Sequence, residues 1–188
     1  MIRRIVSDFR AALDNDPAAR GFWGALEIIF TYSGFHAMIA YRIAHILHQL
    51  KIPFIPRVMS QVARFLTGIE IHPGARIGSS FFIDHGMGVV IGATARIGDD
   101  VLIYSGVVIG STSRRHVVRH PTIGSNVLIG ANAVLLGPIH VGKSAKIGAG
   151  AVVREDVPPH AVVLATASTH SRREVREPLI CLETVPAR

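Results

Sequence analysis

The first 67 residues place apolar side chains at a helical period. Ile2, Ile5, Val6, Phe9 and Leu13 recur at the 3.6-residue spacing of one helix face. Asp16-Pro17 reads as an N-cap followed by proline at the first helical position, where its missing N–H costs nothing, and predicts a second helix. Ile39, Ile43, Ile46 and Leu50 form a third stripe that ends near Pro53 and Pro56. Val58, Val62, Phe65 and Leu66 form a shorter fourth, closed by Gly68.

After Gly68 the period becomes six. Aliphatic residues, usually followed by glycine, recur as Ile71, Ile77, Ile83, then Ile91, Ile97, Ile103, Ile109, then Ile123, Ile129, Leu135, Val141, Ile147, Val153. Six is not a multiple of 3.6, and simple sheet alternation does not require a small residue after each aliphatic one. The rhythm predicts a β-helix of hexapeptide repeats, each contributing one short strand and a turn. Three hexads close a triangular coil, whose inward residues stack on their equivalents about eighteen residues later, with strands about 4.8 Å apart. The expected fold class is α+β: a helical domain over 1–67, a left-handed parallel β-helix over 68–163, and a C-terminal tail over 164–188.

Two phase shifts interrupt the rhythm. Ile83 to Ile91 is eight residues, which puts about two extra near Asp84-His85-Gly86. Ile109 to Ile123 is fourteen, read as two hexads plus two, and the stretch 110–121 is expected to leave the prism as a loop. Irregularities in a solenoid are where binding surfaces are usually built. Both insertions carry histidines and charges.

Composition narrows the function. Apolar residues make up 49% of the 188 and charged ones 18%, which excludes wholesale disorder. The longest apolar-looking stretch, Ile28 to Tyr41, is bounded by Glu27 and Arg42 and falls short of the ~20 residues a bilayer needs. Residues 1–15 carry charges throughout and show no signal-peptide pattern. The single cysteine, Cys181, fits a reducing cytoplasm. The net charge of +7 admits nucleic acid, an acidic surface or a small polyanion as partner. The basic clusters 114–120 and 170–176 lack the interleaved aromatics of a single-strand binder, so nucleic acid is not expected, and solvated loops remain an alternative.

The insertions suggest acid–base chemistry. His85, beside Asp84 at a break in a rigid scaffold, is a candidate general base; a merely hydrogen-bonded corner histidine is the alternative. Glu70, fifteen residues earlier, lies slightly less than one coil away, and that spacing permits it to orient the ring. Arg119 and His120 form a plausible carboxylate clamp, because a guanidinium pairs bidentately with carboxylate. His116 and His120 are four apart but in a loop rather than on one helical face, and His45 and His48 lie on a predicted helix with no third ligand near in sequence, so no metal is expected.

The runs Thr67-Gly-Ile-Glu-Ile-His-Pro-Gly-Ala-Arg-Ile-Gly, Phe82-Ile-Asp-His-Gly-Met-Gly-Val-Val-Ile-Gly and Arg119-His-Pro-Thr-Ile-Gly go beyond generic hexads. With Ile129-Gly-Ala-Asn-Ala, Lys146-Ile-Gly-Ala-Gly-Ala-Val-Val, Asp16-Pro-Ala and Gly34-Phe-His-Ala, the sequence from about residue 1 to 163 resembles the shorter bacterial serine O-acetyltransferases. The resemblance implies a homotrimer with active sites between prisms, pairing into a dimer of trimers being an open alternative. It also implies acetyl transfer from acetyl-CoA, as co-substrate, to the hydroxyl of L-serine on the route to cysteine. By motif position His85 is the base and Glu70 its orienting carboxylate. Asp16 and Asp84 match the acids that hold the substrate amino group, and Arg119 and His120 match the residues that hold its carboxylate. Ser111, Thr112, Ala131, Lys146 and Ala149 fall where the family receives CoA.

The chain departs from the family pattern at Ala93, where glutamate is usual, and at Ser111 and Ser113, where glycines are usual. It does not show the terminal isoleucine by which some members dock onto O-acetylserine sulfhydrylase, so that partnership is not expected. The alternative functions are an O-acyltransferase acting on another hydroxy-amino acid such as homoserine, a non-catalytic scaffold paralogue, and, last, a trimeric zinc hydratase.

Overall fold

The computed structural model describes residues 1–115 and 117–165. The expectations placed on His116, on Cys181 and on the tail beyond residue 165 lie outside them. Four helices lead: α1 (Ile2–Asn15), α2 (Gly21–Thr31), α3 (Ser33–Gln49) and α4 (Ile55–Thr67). Gly68, in the left-handed conformation at φ 73°, ends α4 as the sequence suggests. No described helix is long and apolar enough to cross a membrane.

Coils of short parallel strands follow. The first runs through β1 (Glu70–Ile71), β2 (Arg76–Ile77) and β3 (Phe82–Ile83), the second through β4 (Val90–Ile91), β5 (Arg96–Ile97) and β6 (Leu102–Ile103). The third holds β7 (Val108–Gly110), β8 (Thr122–Ile123) and β9 (Leu128–Ile129), and the fourth β10 (Val134–Leu136), β11 (His140–Val141) and β12 (Lys146–Ile147). The last described coil holds β13 (Val152–Val153) and β14 (Val162–Val163). Successive coils stack into three parallel sheets, β1-β4-β7-β10-β13, β2-β5-β8-β11 and β3-β6-β9-β12-β14, which form the walls of a left-handed parallel β-helix. All thirteen anchor residues of the six-residue rhythm point inward and are buried. Removing such side chains from water, at about 25 cal/mol per Å² of apolar area, is the main stabilisation of the prism.

Three local readings are corrected. Asp16-Pro17 does not cap a helix. The Asp16 Oδ1 accepts the Ala18 N–H at 2.8 Å in a tight turn, and α2 starts only at Gly21, whose φ of 63° interrupts any helical run from Pro17. The apolar stripe of α4 is not core: Val58, Val62, Phe65 and Leu66 are exposed, while Pro56, Ser60 and Thr67 are buried. The stretch from Ile109 to Ile123 is one strand-to-strand step plus eight residues rather than two hexads plus two, because Ile123 pairs directly with Ile97 and β8 follows β7 in the coil.

The helices are bolted to the first coil. Ala37, Met38 and Tyr41 of α3 join the prism's core, and the Tyr41 hydroxyl donates to the Ala75 carbonyl at 2.7 Å. Arg42 donates to the Ile77 and Gly78 carbonyls and pairs with buried Asp8 of α1 at 3.1 Å. Asp8 also accepts the Phe81 N–H. Burial pushes the Asp8 pKa above its ordinary value, although Arg42 and the Phe81 amide pull the other way.

The outward positions of the first sheet are a valine ladder, Val90, Val108, Val134 and Val152, in direct register. Val90 and Val152 are exposed and the middle pair half-buried. The second sheet carries Arg76, Arg96, Thr122 and His140 at the matching positions.

Candidate active site

Two edges of the prism carry the residues singled out by the sequence. On the first edge the chain passes from the third sheet to the first, through the turns 84–89, 104–107, 130–133 and 148–151. On the second edge it passes from the first sheet to the second, through 72–75, 92–95 and the long loop 111–121.

His85 stands on the first edge. The turn is two residues longer than its equivalents, and His85 adopts φ 58°, a conformation uncommon outside glycine and found mainly at Asn, Asp and His. Its ring is 80% exposed, with Nδ1 4.0 Å from the Asp84 carboxylate. The N-terminus of α3 holds the turn in place: the Ser33 hydroxyl donates to the His85 carbonyl at 2.9 Å. Gly34 is required at this contact, since a Cβ there would lie 2.2 Å from the Ile83 carbonyl oxygen.

Asp16 joins His85 and Asp84 around a cavity of about 280 Å³, closed by Thr31, Tyr32, Ser33 and Gly34. The Tyr32 hydroxyl donates to Asp16 Oδ2. That bond, with the Ala18 amide, holds the Asp16 carboxyl below its usual pKa, and it pushes the Tyr32 phenol up to about 12. The pocket thus presents two carboxylates beside an imidazole, a setting for an ammonium group next to a proton acceptor. Tyr32 was not foreseen, because a tyrosine between two helices carries no periodic signal.

Ala131 and Ala149 lie on the same edge, in the column that continues from Met87 and Ser105. The Gly106 N–H bonds the Met87 carbonyl, Asn132 N–H bonds Ser105, and Gly150 N–H bonds Ala131, so equivalent turns follow coil by coil. Lys146, exposed on β12, stands just ahead of the Ala149 turn. Small residues at consecutive turns leave a ledge for an extended ligand, with an ammonium group beside it.

Arg119 and His120 sit on the second edge. Thr94, also unforeseen, organises them: its hydroxyl oxygen accepts the Arg119 and His120 N–H groups at 3.1 and 3.2 Å. The Thr94 N–H donates to His120 Nδ1, which leaves Nε2 to carry the ring proton as a donor. Burial, with Arg119 adding to it, holds the His120 pKa below its usual value, so the ring is a neutral donor beside a guanidinium. Gly92 makes room for it; a Cβ there would lie 2.0 Å from the His120 ring. Ser111 and Thr112 open the same loop. The Ser111 hydroxyl bridges the Ser113 N–H and carbonyl at 3.0 Å, and neither serine adopts a left-handed backbone, so the usual glycines are not needed for this turn.

Glu70 is not beside His85 within the chain. Its carboxylate, on the first sheet in register with Val90, takes Arg57 at 2.9 Å and Arg64 at 3.1 Å from α4. Burial raises its pKa, but the two arginines outweigh that and hold it below the usual carboxylate value. The chain's own fold spends this carboxylate on α4 rather than on the His85 ring. Among the described residues, no three His, Cys, Asp or Glu side chains converge as a metal site.

Residues 120–155 match the family model described as bacterial transferase hexapeptide (six repeats). A serine acetyltransferase of Helicobacter pylori is 57% identical over 146 residues, 78% of this chain and 84% of the relative. This chain belongs to the serine acetyltransferase family. A second family member, from Synechococcus elongatus, is 50% identical over 164 residues, 87% of this chain and 66% of its own length. Among solved structures, soybean serine acetyltransferase complexed with serine is 39% identical, with a TM-score of 0.83, over 88% of this chain and 67% of that one. The Brucella abortus enzyme in complex with coenzyme A is 36% identical, with a TM-score of 0.82, over 88% and 65%. The chain therefore spans about two thirds of the length of several serine acetyltransferases it matches.

Proposed function

We propose that this chain transfers the acetyl group of acetyl-CoA to the hydroxyl of L-serine, as a homotrimer whose sites form between neighbouring prisms. One observation carries the reading: the groups suited to an amino group and a proton acceptor lie on one edge of the first sheet, and those suited to a carboxylate on the other. Neither edge alone offers a whole amino-acid site. When the first edge of one copy meets the second edge of the next, Asp16 and Asp84 receive the ammonium while Arg119 and His120 grip the carboxylate. The partly exposed valine ladder between the two edges, with the apolar stripe of α4, supplies a surface that association removes from water.

In that arrangement Glu70 meets the neighbour's His85 and orients its ring, while Arg57 and Arg64 keep the carboxylate ionised. His85 takes the serine hydroxyl proton as the oxygen attacks the thioester carbonyl, and it returns the proton to the departing CoA thiolate. Such base catalysis contributes roughly 10²–10⁴-fold. Placing both substrates in one cleft adds to it. Transfer is direct, since among the described residues no activated serine or cysteine flanks His85. The ledge of Ala131 and Ala149 with Lys146 receives the coenzyme, and the Ser111-Thr112 turn closes on it from the neighbouring copy. The soybean relative complexed with serine and the Brucella relative in complex with coenzyme A support this substrate pair. A single cysteine in the sequence fits a reducing, cytoplasmic setting.

An acceptor screen with acetyl-CoA, following free thiol release, tests the proposal. Turnover with L-serine is the expected result. Turnover with homoserine and none with serine overturns the acceptor, and no turnover with any hydroxy-amino acid favours the scaffold reading.

A further inference from the structure

We propose that the outer face of the second sheet binds a small polyanion carrying phosphate or sulfate groups, separately from the acyl-transfer site. Arg76 and Arg96 are direct register partners on β2 and β5, with both side chains on the outward face. Like charges at paired positions of a sheet repel, and a bound counter-ion removes that penalty. Arg4 of α1 supplies a third guanidinium to the same groove of about 660 Å³, whose walls include His45, Gln49 and Thr122. Among the described residues none of the three arginines is in an ion pair.

The nearby acids are engaged elsewhere. Asp8 is buried against Arg42 and the Phe81 amide, and Asp99 Oδ1 accepts the Ser79 N–H at 2.7 Å. His45 adds no competing ligand: its Nδ1 donates to the Pro73 carbonyl and its Nε2 accepts from Gln49. The groove therefore concentrates three forked cations and a hydroxyl with no internal anion. Guanidinium groups match tetrahedral oxyanions bidentately, and two of them one coil apart suit two linked anionic groups better than one. Among the described residues no Phe, Tyr or Trp lines the groove for base stacking, which favours a small anion over a nucleic acid strand. None of its lining residues belongs to the two edges of the acyl-transfer site, so the inference stands independently of the acceptor.

Calorimetric titration of inorganic pyrophosphate into the full chain at low salt tests it, with a Lys146→Gln variant, altered at the coenzyme ledge, titrated in parallel. Saturable binding at one site per chain is expected under those conditions. The Arg76→Gln/Arg96→Gln double variant should weaken it by about tenfold or more, as for loss of a charge-assisted pair. Arg96→Glu, which sets opposite charges in register with Arg76, should abolish binding and raise the melting temperature of the anion-free protein. Pyrophosphate binding that survives Arg96→Glu, or that Lys146→Gln eliminates, overturns the proposal. Duplex DNA that binds more tightly than pyrophosphate and is lost in the same variants overturns the small-anion assignment.

Discussion

The Tyr32 hydroxyl donates to the Asp16 carboxylate across sixteen residues of chain, and with the Ala18 amide it fixes that acid at the mouth of the His85 pocket. A carboxylate so held is ionised and oriented before an ammonium group arrives, which lowers the cost of binding.

Tyr32→Phe should therefore raise the KM for serine by about tenfold, the scale of one hydrogen bond to a charged group, and leave kcat within about threefold. The Asp16 pKa climbs toward its ordinary 3.8 in the variant but stays far below neutrality. With the phenol pushed up to about 12, Tyr32 remains a donor across pH 6–9. The pH profile over that range should not move. A displaced alkaline limb would mean that Tyr32 takes part in proton transfer itself.

His85→Asn separates catalysis from folding. Asparagine tolerates the left-handed backbone that His85 adopts at φ 58°, and the ring it replaces is 80% exposed. Turnover should fall by roughly 10²–10⁴-fold, with the melting temperature and the sedimentation profile unchanged. Retained turnover would remove His85 from its role as base.

The prism was legible because one physical constraint repeats: each coil needs an inward aliphatic residue, so Ile71 through Val153 announce themselves. The insertion at His85 was legible for the same reason, as a break in that count. What the sequence hid depends on side chains meeting across long separations. Nothing near Thr94 signals that it will order Arg119 and His120, and nothing in the α4 stripe says that Val58 and Phe65 face outward. Amphipathic spacing identifies an apolar face without saying whether its partner lies in the same chain. The eight-residue loop insertion was miscounted because a multiple of six plus two fits two different routes around the prism.

The buried Asp8–Arg42 pair offers a test of how the helices are held to the first coil. Arg42→Met leaves Asp8 unpaired, at a cost of about 3–5 kcal/mol. The cost should depend on pH. The Asp8 pKa is already above 3.8 when folded, so the folded state holds a proton more readily than the unfolded one, and stability is lost as pH rises through the folded pKa. Without Arg42 that pKa climbs further. Urea unfolding should therefore show a larger loss at pH 7.5 than at pH 4.5; an equal loss would place the penalty in packing rather than in the unpaired charge.

The division of the site between two edges predicts complementation. His85→Asn ruins only the first edge, and Arg119→Ala ruins only the second, so each variant alone should be inactive. In trimers assembled at random from an equal mixture, a site is intact when a chain with native His85 faces a chain with native Arg119. That occurs in about one quarter of the interfaces of a cyclic trimer. Co-refolding the two variants should therefore restore about one quarter of native activity, while mixing the folded trimers without exchange restores none. If the edges instead served one site within a single chain, every chain in the mixture would carry a lesion and no activity would return.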